Sequence, residues 1–418
     1  MNHSSIRNRP FSVMVLLAVA FAAGVLVERS ARFIAPNQYP PAGVERIFVP
    51  FWETWHLIDR HYVNREAIDP ERMTQGAIRG LLASLDDIGH TRYLTPEELK
   101  ELKSELEGNM EGIGARLTMR KRRPTIVVTM PNSPAREAGL RPGDVLLDVD
   151  GTPVAGMALE QIVLRVRGPT GTAVHLRVAR EEQSEPLDFS IARAKVEVPD
   201  VTWAMLPGTP LAHIAIQNFG KEADAQVKAA LQEARQRGAK GIILDVRGNP
   251  GGLKDQAVAV TSEFLKSGNV FLEQDAHGDQ KAVSVVPGGV APEIPLCVLI
   301  DEGTASSAEI FAGAVQDHKR GKLIGTTTIG TGTVLQTFGL GDGSAVLLAV
   351  ARWLTPNGRQ IWHMGISPDI AVPLPADAIM LLPELEANLT AEALAKKDDK
   401  QLLKARDVLL EAIGVRTK

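Results

Sequence analysis

The chain has 418 residues, 44% of them hydrophobic and 23% charged, with a net charge of -4. That length exceeds what one core supports and predicts two or three domains. The balanced charge excludes a disordered chain and gives no electrostatic footprint for nucleic acid.

Arg7 and Arg9 precede an uncharged, apolar stretch from Phe11 to Val27. This is the layout of a secretory signal or a signal anchor. Ala20-Phe-Ala22 offers a small-residue cleavage pattern, but the apolar run continues past it, which favours an anchor at the short limit of a membrane span. Either form places the rest of the chain outside the cytoplasm. Residues 1–29 are therefore read as a signal anchor, and the Pro-rich stretch 30–44 as a linker.

Phe51, Trp55, Ile58 and Tyr62 recur at helical spacing, as do the apolar residues of 73–85, and Thr95-Pro-Glu-Glu98 is a helix start with a capping residue and an N1 proline. Residues 45–106 are read as a small helical domain. From 107 to 194 the pattern changes to short strands broken by Gly and Pro, with strands at 125–130, 144–149 and 173–178 and helices at 133–140 and 159–167. The run Arg120-Lys-Arg-Arg123 reads as a solvated hairpin tip.

After Val196 strands (213–216, 241–246, 296–300) alternate with helices (223–237, 257–265, from 308), which implies an α/β core with a largely parallel sheet over 195–380. Residues 381–418 form a charged helical segment that suits either packing on the core or self-association. The one cysteine, Cys297, lies in an apolar strand and is read as a core thiol. The nine histidines show no metal-ligand spacing, there is no phosphate loop, and no cofactor is implied.

Two loops follow predicted strands, where open α/β sheets bind ligands. In Asp245-Val-Arg-Gly-Asn-Pro-Gly-Gly252 the glycines let the backbone turn tightly and present N–H groups to an oxyanion. In Asp301-Glu-Gly-Thr-Ala-Ser-Ser-Ala-Glu-Ile310 small residues lead into a helix, so a serine there gains from the helix dipole. Each loop alone also suits an ordinary turn or a serine cap.

Ser133-Pro-Ala-Arg-Glu-Ala-Gly-Leu-Arg-Pro-Gly-Asp-Val-Leu-Leu-Asp-Val-Asp-Gly151 resembles the most recognisable stretch of bacterial PDZ domains. Together with the two loops, and with Gln316-Asp-His318, Asp342-Gly-Ser344, Thr355-Pro-Asn-Gly-Arg359 and Gly365-Ile-Ser-Pro-Asp369, it makes the chain resemble the carboxyl-terminal processing (tail-specific) serine peptidases of the S41 type. The resemblance implies an α/β peptidase core of crotonase-like or ClpP-like β-α repeats, an inserted mostly-β PDZ domain and an N-terminal helical domain. It implies Ser306 as nucleophile, and Gly251, Gly252 and Ser307 as oxyanion hole. It also implies Gly112, Ile113, Gly114 and Ala115 as carboxylate-binding loop, with Arg167 coupling peptide capture to the peptidase, although a surface arginine at a helix end reads the same way.

In one respect the chain departs from the family. The lysine of the family's Gly-Lys-Gly-x-Val-Gln motif is Thr331 here, and its glutamine is Leu335. Gln336 is adjacent, but neighbours in a strand face opposite ways. A serine hydroxyl needs a base to accept its proton, and threonine cannot serve. Lys319, Lys322 and His318 are the nearby substitutes in sequence. Two functions stay open: a pseudopeptidase that binds protein C-termini as an adaptor, which the substitutions favour, and an active endopeptidase with a non-standard base. The resemblance also implies tail-exposed or unfolded proteins as ligands and a lipoprotein adaptor; the N-terminal segment implies contact with the inner membrane, and self-association through the C-terminal segment would give a homo-oligomer.

Overall fold

The computed structural model describes residues 43–415 other than 88, 89, 121, 122, 131, 182, 376, 377, 379 and 388. The apolar segment Phe11–Val27 and most of the linker lie outside the described residues, as do two residues of the basic run. Among the described residues no helix is long and apolar enough to cross a membrane. The chain divides into two compact units, Met1–Ala77 and Ile78–Lys418.

In the first unit the helix Val49–His61 starts with Pro50 in its first turn, where a missing N–H costs nothing. It follows the predicted apolar spacing, yet buries none of its residues. Phe51, Trp52 and Trp55 stack on one another instead, with ring centroids 5.0 to 6.3 Å apart. A second helix, Pro70–Ala83, runs through the unit boundary and also buries none of its residues.

The second unit contains the third helix of the predicted helical region, Pro96–Leu106, and everything after it. A ribbon of Asn109–Gly112 against Ala194–Glu197 marks entry to and exit from a β-module. Within it the strands Ala115–Arg120, Arg123–Thr129, Val145–Val149, Ala173–Ala179 and Leu187–Ala192 lie side by side in that order. Val174, Leu176 and Val178 alternate inward and meet Ile162 and Val166 of the helix Leu159–Val166. Arg120 pairs with Arg123, so the basic run does cap a hairpin.

The predicted parallel sheet is present. Val201–Met205, Leu211–Ile216, Gly241–Asp245, Leu296–Ile300, Lys322–Gly325 and Ile370–Ala371 are adjacent in chain order, all parallel except the first pair. Ile242, Leu244, Val298 and Ile300 face the helices Ala223–Gln236, Lys254–Phe264 and Ser307–Asp317. Ile243, Cys297, Leu299 and Ile324 face the other way, onto Leu402, Ala405 and Leu409 of the helix Lys400–Ala412. Of the two roles open to the C-terminal segment, packing on the core is the one observed. Each leucine so buried contributes about 1.5–3 kcal/mol. Cys297 is a core thiol, and burial pushes its pKa up to about 12.

An antiparallel sheet that the sequence pattern did not show completes the core. Arg92–Leu94 and Thr333–Gly339 both pair with Ala345–Leu354, which also pairs with Asn269–Gln274, and that strand with Gln280–Ser284. This sheet carries Thr333 and Leu335 to the mouth of the nucleophile loop.

Candidate active site

The loop after Leu296–Ile300 ends at Ser306, which caps the helix Ser307–Asp317 with φ of 52°. A serine held there stores about 1–3 kcal/mol of backbone strain, so the surroundings must impose it. They do so through hydrogen bonds between the two loops. Thr304 Oγ1 donates to Val246 O at 2.8 Å, Gly248 N–H donates to Asp301 Oδ1 at 2.8 Å, and Ala305 N–H donates to Asn249 O at 2.9 Å.

Glu309, in the first turn of the helix and 1% exposed, gathers the rest. Its Oε1 accepts from Thr328 Oγ1 at 2.6 Å and Gly330 N–H at 2.7 Å. Its Oε2 accepts from Ser306 N–H at 2.9 Å, Thr331 N–H at 3.0 Å and Thr331 Oγ1 at 2.6 Å. The Thr331 hydroxyl in turn accepts Ser306 N–H at 2.8 Å. Thr331 thus sits beside Ser306, but its oxygen is engaged with the serine's backbone. Leu335 borders the cavity in front of Ser306, whereas Gln336 is exposed and does not, despite a β-bulge at Val334/Leu335.

Of the amides assigned to the oxyanion hole, Gly251 N–H is donated to Asn249 Oδ1 at 2.8 Å. Gly251 and Gly252 have φ of 106° and 139°, and a Cβ on Gly251 would stand 2.6 Å from Ser306 Cβ. Only glycine allows the turn to lie against the serine. Ser307 opens the helix, and its Oγ donates to Gly252 O at 3.1 Å. This bond ties the glycine turn to the first residue of the helix, directly after Ser306.

The first residues of the same glycine loop have a different task. Arg247 forks onto Asp245 (2.6 Å) and Asp399 (2.9 Å), and also bonds Gln401 at 3.0 Å. His213, fully buried, lies between Asp245 at 3.2 Å and Glu386 at 2.7 Å. Burial alone would lower the His213 pKa, but the Glu386 and Asp245 carboxylates outweigh it and raise it to about 10. Asp245 is held well below the usual carboxylate range by Arg247 and His213, against the effect of burial. Asp245 and Arg247 thus fasten the C-terminal segment to the base of the oxyanion turn.

In the β-module, Ile113 O and Gly114 O are held by Ala135 N–H at 2.8 Å and Met130 N–H at 2.9 Å. Gly114 has φ of 73° and approaches Ser133 so closely that a Cβ would lie 2.4 Å from the serine's own. Arg167 ends the helix Leu159–Val166, its N–H bonded to Val163 O at 2.9 Å. One cavity of about 1380 Å³ contains Gly112 to Ala115, Val163, Arg167, Gly251, Gly252 and Ser306. Every assigned site residue except Ser307 and Thr331, which are buried behind Ser306, lines it.

The substitute bases named from the sequence do not reach this cavity. His318 follows the far end of the 11-residue helix, about 16 Å along it, and bonds Asn269 O at 2.8 Å. Lys319 is adjacent to it, and Lys322 faces Asp369 at 4.0 Å. His90, which the sequence did not single out, does border the cavity, with Nδ1 3.2 Å from Thr333 Oγ1. Glu309 and Asn249 were missed too. A carboxylate in a helix's first turn and an asparagine in a glycine turn carry no local signal of such a role. Among the described residues no group of His, Cys, Asp and Glu could hold a metal.

Residues 210–372 match the model of peptidase family S41, and residues 125–180 that of a PDZ domain. Carboxy-terminal processing protease CtpB of Bacillus subtilis is 33% identical over 327 residues, 77% of this chain and 67% of that protein. A carboxy-terminal-processing protease of Bartonella bacilliformis is 32% identical over 373 residues, 87% of this chain and 84% of that one. The solved structure of a photosystem II D1 C-terminal processing protease is 31% identical with a TM-score of 0.52, covering 82% of this chain and 97% of its own. With the PDZ module and the serine-bearing α/β core in one continuous arrangement, this chain belongs to the carboxy-terminal processing protease family of S41 serine peptidases.

Proposed function

We propose that the chain is an extracytoplasmic tail-binding member of this family, in which capture of protein C-termini is retained and Ser/Lys hydrolysis is lost. The observation that carries the reading is the single cavity joining the carboxylate-loop position, Gly112 to Ala115, to Ser306. Ala115–Arg120 is the edge strand of the PDZ sheet, so an extended tail can add to it by main-chain hydrogen bonds while Leu159 and Val163 receive its apolar side chains. A tail so held points its preceding residues toward Ser306, Gly252 and Ser307.

At that point the lysine chemistry is missing. In a Ser-His-Asp peptidase, losing the base lowers kcat by about 10⁶, leaving about 10³–10⁴ over water from the oxyanion hole and binding. The extracytoplasmic setting follows from Arg7, Arg9 and the apolar run Phe11–Val27, which also suits an inner-membrane anchor. A lipoprotein adaptor or a second copy of the chain are the partners that fit a tail-binding role.

The full chain in detergent is offered a C-terminal peptide ending in a free carboxylate and the same peptide amidated. Selective capture of the carboxylate form supports the reading, and equal capture of both refutes it. Thr331→Lys with Leu335→Gln, given unfolded β-casein, is expected to gain Ser306-dependent cleavage. A wild-type rate already equal to that of the double variant refutes the loss of Ser/Lys chemistry.

A further inference from the structure

The cavity in front of Ser306 is lined by one histidine, His90, beside Asp200, Lys254 and Asp255, of which Lys254 is paired with Glu273 at 3.3 Å. His90 is half-buried in the segment before the strand Arg92–Leu94. Its Nδ1 meets Thr333 Oγ1 at 3.2 Å. In the tautomer that donates Nδ1–H to that oxygen, Nε2 keeps its lone pair. Thr333 lies two residues beyond Thr331, whose Oγ1 accepts Ser306 N–H at 2.8 Å. The Glu309 carboxylate, bonded to that same N–H, is close enough to His90 to raise its proton affinity.

Asp87 supplies the second observation. It is 9% exposed; its Oδ2 accepts from Thr91 N–H at 3.1 Å and Thr91 Oγ1 at 2.6 Å, while its buried Oδ1 has no hydrogen-bond partner. The His90 N–H donates to the Asp87 main-chain oxygen at 2.8 Å, so the two residues share one turn. A buried carboxylate oxygen without a partner is unfavourable, and an imidazolium formed nearby would offset that penalty.

We propose that His90 is the general base for Ser306, with Asp87 positioning and stabilising it, so that this member of the family turns over slowly by histidine-dependent chemistry. The inference rests on the tail-binding reading of the cavity. As Ser306 Oγ bonds to the scissile carbonyl carbon, its proton passes to His90 and the carbonyl π pair moves to oxygen, beside the Gly252 and Ser307 amides. The imidazolium then protonates the leaving amine as the C–N bond breaks, leaving an ester on Ser306. Water, deprotonated by His90, attacks that ester and releases the carboxylate and the serine. No hydrogen bond joins His90 to Ser306 in the structure, and contacts of this kind close when substrate occupies the site.

Burial and three charged groups set the pH response. Burial lowers the His90 pKa below 6.5, Asp87 on its own turn and Glu309 on the nucleophile helix raise it, and Arg92 on the adjacent strand lowers it. The net direction is downward, so the imidazole is neutral and basic at pH 7.

Cleavage of unfolded β-casein by the full chain is measured from pH 5 to 9 for the wild type, Ser306→Ala, His90→Ala and His90→Gln. The wild type should cleave slowly, rising through one ionisation below 6.5 to a plateau. Ser306→Ala and both His90 variants should fall by about 10²–10⁴-fold, and added imidazole should partly rescue His90→Ala alone. Equal cleavage by the wild type and both His90 variants would overturn the proposal. So would absence of wild-type cleavage, whether or not Thr331→Lys with Leu335→Gln cleaves. Carboxylate-selective capture by the wild type, measured in parallel, reports the tail-binding reading independently.

Discussion

The resemblance implies Thr331 at the family's lysine position, and the structure gives its hydroxyl a mechanical task that can be measured. Thr331→Val keeps the shape and removes the oxygen. The bond from Thr331 Oγ1 to Glu309 at 2.6 Å is charge-assisted and lies between groups 3% and 1% exposed. Its loss is worth about 1.5–3 kcal/mol. The bond accepted from Ser306 N–H adds little, because that amide has a second acceptor in Glu309 Oε2 at 2.9 Å. Thr331→Ser retains the hydroxyl and gives up one buried methyl, about 0.8 kcal/mol. The valine variant should therefore be the less stable by about 1–2 kcal/mol. Urea unfolding followed by tryptophan fluorescence reads this difference, since Trp353 is buried in the same core. In a Glu309→Gln background the gap between valine and serine should shrink. Equal stability of the two variants with Glu309 intact would refute the claim that the hydroxyl's bond to Glu309 stabilises the fold.

Three further outcomes follow from the buried charges. Asp399→Ala leaves Arg247 without half of its fork, and should cost about 3–5 kcal/mol and expose the C-terminal helix to limited proteolysis, where Lys404→Ala, with its side chain away from this network, should not. His213 has a folded pKa of about 10, above its ordinary value, so its contribution is complete below pH 6.5 and is lost as pH rises through 10. The melting temperature should fall over that window, and less so in His213→Gln. Burial pushes Asp200 up to about 6, so the charged form is penalised in the folded state. Stability from this group is full below its ordinary pKa of 3.8 and lost as pH rises through 6. Asp200→Asn should stabilise the chain at pH 7.5 by about 1–3 kcal/mol and have no such effect at pH 4.

The parallel sheet and the PDZ module were legible because their strands are continuous apolar runs or clean alternations, as in Leu296–Ile300 and Ala173–Ala179. The antiparallel sheet was not, because Thr333–Gly339 carries polar residues on both faces, and its hairpin neighbour Ala345–Leu354 finds Arg92–Leu94 and Asn269–Gln274 only across the fold. The helix Val49–His61 shows the converse: its apolar period is real, but its residues stay exposed, so period alone did not define a core. Ser306 and the glycine turn were readable because strand ends and helix starts punctuate them. His90 is a single residue in a loop, 243 positions from the Thr333 that it meets, and no local pattern encodes that distance.

The flanks of Thr331 separate what the motif says about backbone from what it says about chemistry. Gly330 has φ of 84° and Gly332 of 53°, and a Cβ at either would meet backbone atoms, Gly365 N at 2.7 Å and Trp362 N at 2.2 Å. Both glycines are required by the close passage of 361–365, whatever residue stands between them. Their presence therefore reports the path of the chain. The same division holds in the other loop, where Asp245 and Arg247 secure the C-terminal segment while Gly251 makes room for Ser306. A motif in this family is thus largely a description of how two loops are pressed together. If position 331 is where the family's lysine stands, as the resemblance implies, the loops keep that geometry without it, and the proposed reaction at Ser306 then depends on whichever base the surrounding sheet brings to the cavity.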